Sequence, residues 1–443
     1  MAAARKHEKT TKTNGRRKSA PGGPPLTAIT LQGFKSFRDE TRIEIRPLTL
    51  LAGANSSGKS SAIQPLLLLK QTLEAPYDPG PLLLNGANAS FSRLEQLLWQ
   101  GTAKGDRAEA FMVGLSNPHE TVRLFFGGAE KGGVEIKKVA CVREDLAYEL
   151  EPGMRAADLA AILKRLPGWD ERLVQFRVHR SRCSLGATAA DADRESVLDV
   201  DPFWSFTYEV LHMIHLPGLR GNPERNYQTA GTGDRYPGLF QRYVASVLLS
   251  WRETDDVRLN ELDAAVSTLG LTWRIDPRRL DDASIEIRVG RLPSAHKGGA
   301  HDLVNIADVG FGVSQTLPVV VAVLAAAPGQ VVYLEQPEIH LHPRAQVALA
   351  RLLLDAAKRG AVVIAETHSD LLLRSVQRAV AAGEADPSLV ALHWFERDKD
   401  GATKVTTAAL DAAGTYGDWP VDFADVDLAL ERDFLDASLR HPA

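Results

Sequence analysis

The chain has 443 residues, 44% hydrophobic and 24% charged. This is ordinary globular composition; it excludes a disordered or collagen-like chain and leaves room for two or three domains, or one large domain with insertions. The longest apolar run, residues 317–327, spans eleven residues with Pro318 inside it, far short of the ~20 a membrane helix needs, so no span is expected. Cys141 and Cys183 are too few for a disulfide framework or a structural zinc site. They fit a reducing, cytoplasmic setting.

The net charge of −4 is uneven. Residues 1–25 carry seven Lys/Arg against Glu8, a net +6, so the remainder carries −10. With no apolar core, and with Pro21-Gly22-Gly23-Pro24-Pro25 at its end, this stretch reads as a solvated, disordered basic arm and linker rather than a secretory signal. A salt-sensitive contact with nucleic acid is the sharper alternative.

From residue 26 onward, β-like alternation covers 27–37 and 41–45, and 48–51 is a short apolar strand. A glycine-rich loop leads into an apolar helix over 62–73, with Pro65 expected to kink it or to mark a tight first turn. Residues 76–110 read as loop with a short helix at 94–99. Strands are expected at 110–115, 121–126 and 134–142. Residues 155–250 read as helices at 155–166 and 239–251 around a Gly/Pro/Arg-rich loop at 216–236, and 284–289 as a strand. From 302 the order is helix 315–327, strand 331–335, helix 344–358, strand 361–366, helix 371–382. That alternation predicts a largely parallel sheet covered by helices on both faces. Sustained heptads are absent, so no long coiled-coil arm is expected.

Gly53-Ala54-Asn55-Ser56-Ser57-Gly58-Lys59-Ser60 matches G-x-x-x-x-G-K-[ST] between a strand and a helix, the context that identifies a P-loop. Its glycines let successive N–H groups face phosphate oxygens at a helix N-terminus, where Ser61 follows. Lys59 reaches the β/γ-phosphates and the Ser60 hydroxyl ligates Mg²⁺. Val331-Val332-Tyr333-Leu334-Glu335 reads as a Walker B strand with Glu335 beside the metal shell. Residues 361–369 form another apolar strand, ending in Glu366-Thr367-His368-Ser369, where His368 stands in the place of a phosphate sensor. Gly310, Gly312, Ser314 and Gln315 precede an apolar helix and make a second anion-binding terminus. One nucleotide needs one P-loop, so the second terminus suits the nucleotide of another subunit.

This set resembles ABC-type ATPases of the RecF/SMC-like branch, including the ATPase half of the OLD proteins. Residues 29–37 look like the branch's opening strand with its G-F-K-S-F. Residues 335–343 look like its E-x-P-E-x-H-L-H-P Walker B and D-loop, and 310–315 stand where its signature motif belongs. Residues 414–423 resemble the C-terminal piece of stand-alone bacterial members. The resemblance implies an α/β P-loop NTPase, an ABC-type ATPase head with an N-terminal β-rich lobe and a mixed α/β insertion. The head would comprise 26–75 and 301–443, and the lobe and insertion 76–300. It implies ATP and Mg²⁺ as ligands, Lys35 and Ser36 near the α-phosphate or ribose, and a head-to-tail homodimer sandwiching two ATP molecules. DNA and a separately encoded effector protein are candidate partners, and DNA maintenance or phage defence the implied setting. Gln71, Gln96 and Gln100 compete as the Q-loop glutamine.

The chain departs from the pattern at Gln336, where such ATPases carry the acid that orients the attacking water. An amide positions water but takes no proton. Glu338 takes the role, or His368 acts alone, or hydrolysis is slow and the protein is an ATP-gated clamp; slow, real hydrolysis is the preferred expectation. Asp425 and Asp427 read as a helix N-terminus rather than a nuclease metal site. Arg220 and Arg225 read either as phosphate or DNA contacts or as an ordinary surface loop.

Overall fold

The computed structural model describes residues 25–102, 105–144, 146–193, 197–292 and 302–417, together with Arg432, Asp433 and Asp436. The basic arm up to residue 24, the Asp425/Asp427 pair and most of the 414–423 piece lie outside the described residues.

In chain order the elements are β1 (Ala28–Gln32), β2 (Thr41–Glu44), β3 (Leu48–Gly53), α1 (Lys59–Glu74), β4 (Ala110–Ser116), β5 (Glu120–Gly128), β6 (Val134–Arg143) and β7 (Leu146–Leu150). Next come α2 (Ala156–Leu163), β8 (Gln175–Ser181), β9 (Ser184–Ala190), β10 (Val197–Val200), α3 (Trp204–His212), β11 (Ile214–Leu216), β12 (Tyr227–Gln228), α4 (Val244–Glu253) and α5 (Arg258–Thr268). The remainder is β13 (Ile275–Arg279), β14 (Ser284–Gly290), β15 (Leu303–Asn305), α6 (Phe311–Ala325), β16 (Val331–Glu335), α7 (Pro343–Lys358), β17 (Val362–Glu366), α8 (Asp370–Ala381), β18 (Val390–Arg397) and β19 (Thr403–Ala409).

The central sheet runs β11-β16-β17-β3-β18-β19. All its pairings are parallel except the last. Its inner strands β16, β17 and β3 are largely apolar on both faces, as a parallel sheet wrapped by helices requires. Leu48, Leu50, Val332, Leu334, Val363 and Ala365 point into a core shared with α4, α6, α7 and α8. Leu51, Val331, Tyr333, Val362 and Ile364 point into a second core with α1, α3 and the antiparallel lobe. That lobe is the six-stranded sheet β2-β1-β4-β5-β6-β7, with the three-stranded sheet β10-β9-β8 packed near it. Two placements cross the expected segments: β11 joins the parallel sheet, and β1 pairs with β4 in the lobe.

Several local expectations change. α1 runs unbroken from Lys59 to Glu74 with Pro65 inside it; the proline costs the Ser61 carbonyl its partner without ending the helix. β1 stops at Gln32 because Gly33 and Lys35 turn the chain at φ 67° and 48°. Within 155–250 the structure adds β8, β9, β10, α3, β11 and the two-residue β12 to the expected helices. β8 (QFRVHRS) alternates over only five residues and is half exposed and charged, and β9 (SLGATAA) is built mostly of small residues of weak β preference, so both signals are weak. α6 begins at Phe311, four residues before the expected start at Gln315.

Candidate nucleotide-binding site

The C-terminal end of β3 feeds the loop that opens α1. Gly53 and Gly58 sit at φ 139° and 111°, a region closed to L side chains at little cost only for glycine. A Cβ on Gly58 would lie 2.5 Å from Thr403 Oγ1 and 2.9 Å from Ser36 Oγ. The Lys59 ammonium is folded onto the loop's own carbonyls, donating to Gly53 O at 2.9 Å and Ala54 O at 2.7 Å. Burial lowers its pKa, with Glu366 and Glu338 opposing the shift. Thr403, on β19, ties the loop from outside: its hydroxyl stands 2.6 Å from Ser36 Oγ and 2.7 Å from Ser57 O. Arg397 Nε donates to Ser56 O at 2.9 Å.

In front of the loop is a polar groove of about 940 Å³ lined by Lys35, Ser36, Ser56, Ser57, Gly58, Lys59, Ser60 and Ser61. Gln96, Gln100, Arg93 and Arg397 complete its walls. Its volume suits a nucleoside triphosphate. Lys35 donates to Gln64 Oε1 at 2.8 Å. Asn55 is exposed on the loop, and Gly53 ends the strand behind it. Gln71 is not in the groove; it is a buried residue of α1 whose side chain is bonded to Leu83 O, Ala89 O and the Ala89 amide. Gly58→Ala is expected to cost roughly 1–3 kcal/mol of stability from the left-handed backbone alone and to abolish ATP binding. Thermal denaturation and ATP titration check both.

Parallel pairing of β16 and β17 sets Glu335 beside Glu366. Glu366 is buried, accepting the Ser60 hydroxyl at 2.8 Å on Oε2 and the Tyr333 hydroxyl on Oε1. Burial pushes its pKa up to about 7, partly offset by those two donors. Glu335 is half exposed. His215 Nε2 lies 3.2 Å from its Oε1, and the Gly218 amide donates to Oε2 at 3.2 Å. Glu338 is buried, its Oε1 accepting the Thr367 hydroxyl and the His368 amide, both at 2.8 Å. Its Oε2 has no partner, and burial raises its pKa. Gln336 holds φ 44° at the strand end, its amide donating to Glu366 O at 2.9 Å. The His368 side chain is exposed, its pKa lowered by partial burial and then by Lys59.

Gly310 caps α6, with Phe311 exposed beside it. Ser314 bonds back to Phe311 O, while Gln315 is buried with its amide on Gly221 O at 2.6 Å. None of Gly310, Gly312, Ser314 and Gln315 lines the P-loop groove of its own chain. Neither reading of Arg220, a phosphate or DNA contact or an ordinary surface loop, describes where it lies. It is buried, donating to Glu335 O, Gln336 O and Gln315 O, whereas Arg225 is exposed and paired with Asp308. The sequence reading gave no role to Glu366, His215, Tyr333 or Thr403. Only Glu366 carried a signal, a carboxylate at the end of a strand parallel to Walker B; the others act through contacts formed by the fold.

Among the described residues no cluster of three metal-ligating side chains occurs and no helix is long and apolar enough to cross a membrane. Residues 215–374 match the family described as "AAA domain, putative AbiEii toxin, Type IV TA system". Similar solved structures include an SMC head bound to the C-winged helix domain of ScpA, at 15% identity and TM-score 0.46, covering 88% of this chain and 99% of that one. Another is the SMC head domain from Thermotoga maritima, at 14% and 0.40, covering 86% and 98%. A third is an Smc head domain with an extended coiled coil, bound to the C-terminal domain of ScpA derived from Pyrococcus furiosus, at 13% and 0.43, covering 92% and 99%. No curated protein matches the chain. A P-loop at the end of a central parallel strand, with Glu366 and Glu335 closing the next two strands of the sheet, defines an α/β P-loop NTPase fold, and the match over 215–374 to an AAA domain supports an ATPase-type domain.

Proposed function

We propose that the protein is an ABC-type ATPase that binds MgATP, pairs head to tail with a second copy around two ATP molecules, and hydrolyses ATP slowly to open again. The observation that carries this reading is the convergence of three strand ends. β3 delivers Lys59 and Ser60, β16 delivers Glu335 and leads to Glu338, and β17 delivers Glu366 and His368, all at the carboxyl edge where ligands of α/β sheets bind. The donor set fits the ion the fold implies. Ser60 and Glu335 are hard oxygen ligands suited to Mg²⁺, which when bound offsets phosphate charge. Glu338 is the group able to orient and deprotonate water, with His368 beside it. Gly310 and Ser314, at the start of α6, do not line the groove of their own chain, which supports their service to a partner's nucleotide.

The resemblance to RecF/SMC/OLD-type heads supports DNA maintenance or phage defence, with DNA or a separate effector as what the dimer gates. A second reading, a nucleotide-held scaffold without turnover, is favoured by Gln336 alone. Steady-state phosphate release, with light scattering in the presence and absence of ATP, separates the two. Turnover with ATP-dependent dimers upholds the proposal. Binding and dimerisation without phosphate release would leave the scaffold.

A further inference from the structure

Arg220 is a buried cation whose three hydrogen bonds run to backbone carbonyls from two different parts of the site. Nη2 reaches Glu335 O at 2.8 Å and Gln336 O at 3.2 Å; Nη1 reaches Gln315 O at 3.3 Å. Its Nε has no partner. Burying a guanidinium whose hydrogen bonds all run to carbonyls is costly; the nearby Glu338 and Glu335 carboxylates offset part of that cost, and the arrangement persists only where geometry repays the rest. The same short segment makes three further ties. His215 lies against Glu335 Oε1, Gly218 N donates to Glu335 Oε2, and Gly221 O accepts the Gln315 amide at 2.6 Å. Four residues further on, Arg225 pairs with Asp308, just ahead of α6. Residues 215–225 thus grip the end of β16 with one hand and the start of α6 with the other.

Resting on the ATPase reading above, we propose that Arg220 is a positioning residue that couples the two composite ATP sites. It links the hydrolytic strand end of one site to the helix start that would meet the nucleotide of the other. If α6 shifts when it engages a partner's nucleotide, the Gln315 carbonyl carries Arg220, and Arg220 carries the backbone of Glu335 and Gln336. Gln336 is the sensitive point, because its left-handed backbone lets a small movement redirect Glu338. Arg220 touches no substrate in this scheme. A planar fork spans three carbonyls where a lysine ammonium cannot.

The test compares wild type, Arg220→Lys and Arg220→Gln. ATP affinity is measured on dilute protomer with a fluorescent ATP analogue, dimerisation by light scattering with ATP, and kcat, KM and the Hill coefficient by phosphate release. The expected result is ATP affinity within about threefold of wild type, kcat and dimer fraction reduced by about tenfold or more, and a Hill coefficient falling toward one, with lysine giving no rescue. Arg220→Lys behaving as wild type in dimerisation and turnover overturns the proposal. So does loss of ATP affinity and thermal stability in step with kcat, which marks a merely structural residue. The two readings fail separately. A wild type that never dimerises with ATP removes both, whereas a dimerising wild type with unaffected variants removes only the coupling.

Discussion

Lys59→Ala is expected to weaken ATP binding by at least about tenfold and to reduce phosphate release by about 100-fold or more, because the only ammonium in the P-loop is lost from a site built around it. That ammonium is held at the loop by Gly53 O and Ala54 O, where a phosphate oxygen would compete for it. Glu338→Gln separates binding from chemistry. Its Oε1 anchors Thr367 and the His368 amide, a role a glutamine oxygen keeps. Its Oε2 has no partner and its pKa is raised by burial, the condition of a carboxylate able to accept a proton from water. Glu338→Gln should therefore retain ATP binding and ATP-driven dimers while losing about 10²–10³ in kcat, the usual range for a general base. Gln336→Glu, adding an acid where the resemblance places one, should raise kcat only if Gln336 limits the rate. Unchanged turnover in Glu338→Gln would transfer the base to His368.

Which parts of this were readable in advance follows from where the information lies. The P-loop stands in the chain as a contiguous motif, and the strands ending in Glu335 and Glu366 as continuous apolar runs closed by polar residues, because a parallel strand buried on both faces needs nearly every position apolar. β8 and β9 were hard to read: β8 alternates only over Gln175–His179, with two apolar residues, and β9 is mostly Ser, Gly, Ala and Thr around one Leu. The site was legible where one segment supplies its chemistry and illegible where the fold assembles it. Thr403 is 346 residues from the Ser57 carbonyl it bonds, and His215 is 120 residues from Glu335. Arg220 misled because an Arg among Gly and Pro looks exposed. Its burial depends on the carbonyls of β16 and α6, which no local pattern reveals. Gln71 misled in the opposite way: sequence made it a candidate for the nucleotide, and the fold spends both ends of its amide on the 83–89 turn.

Glu366→Gln should make the nucleotide-free protein more stable at pH 8 and nearly inactive. Glu366 is 3% exposed and its pKa is pushed up to about 7, from an ordinary value of 4.5. Between those values the folded protein holds a proton that the unfolded chain has released. The stabilising term is therefore complete below about pH 4.5 and is lost as pH rises through about 7, because the folded state must then carry a buried charge. At 1.36 kcal/mol per unit, the loss by pH 8 is about 3 kcal/mol at most. A glutamine never ionises. Its oxygen accepts one of the Ser60 and Tyr333 hydroxyls, and its amide donates to the other. The melting temperature of Glu366→Gln should match wild type near pH 5 and exceed it by roughly 2–5 °C at pH 8. Turnover should move the other way, by about 100-fold, because the carboxylate that orients Ser60, the proposed Mg²⁺ ligand, is gone. This opposition is the reason for measuring both: a site that keeps a buried charge at a stability cost is retained for chemistry. A variant that melts below wild type at pH 8 yet hydrolyses ATP normally would show that Glu366 is a structural acid and that Glu335 alone serves the metal.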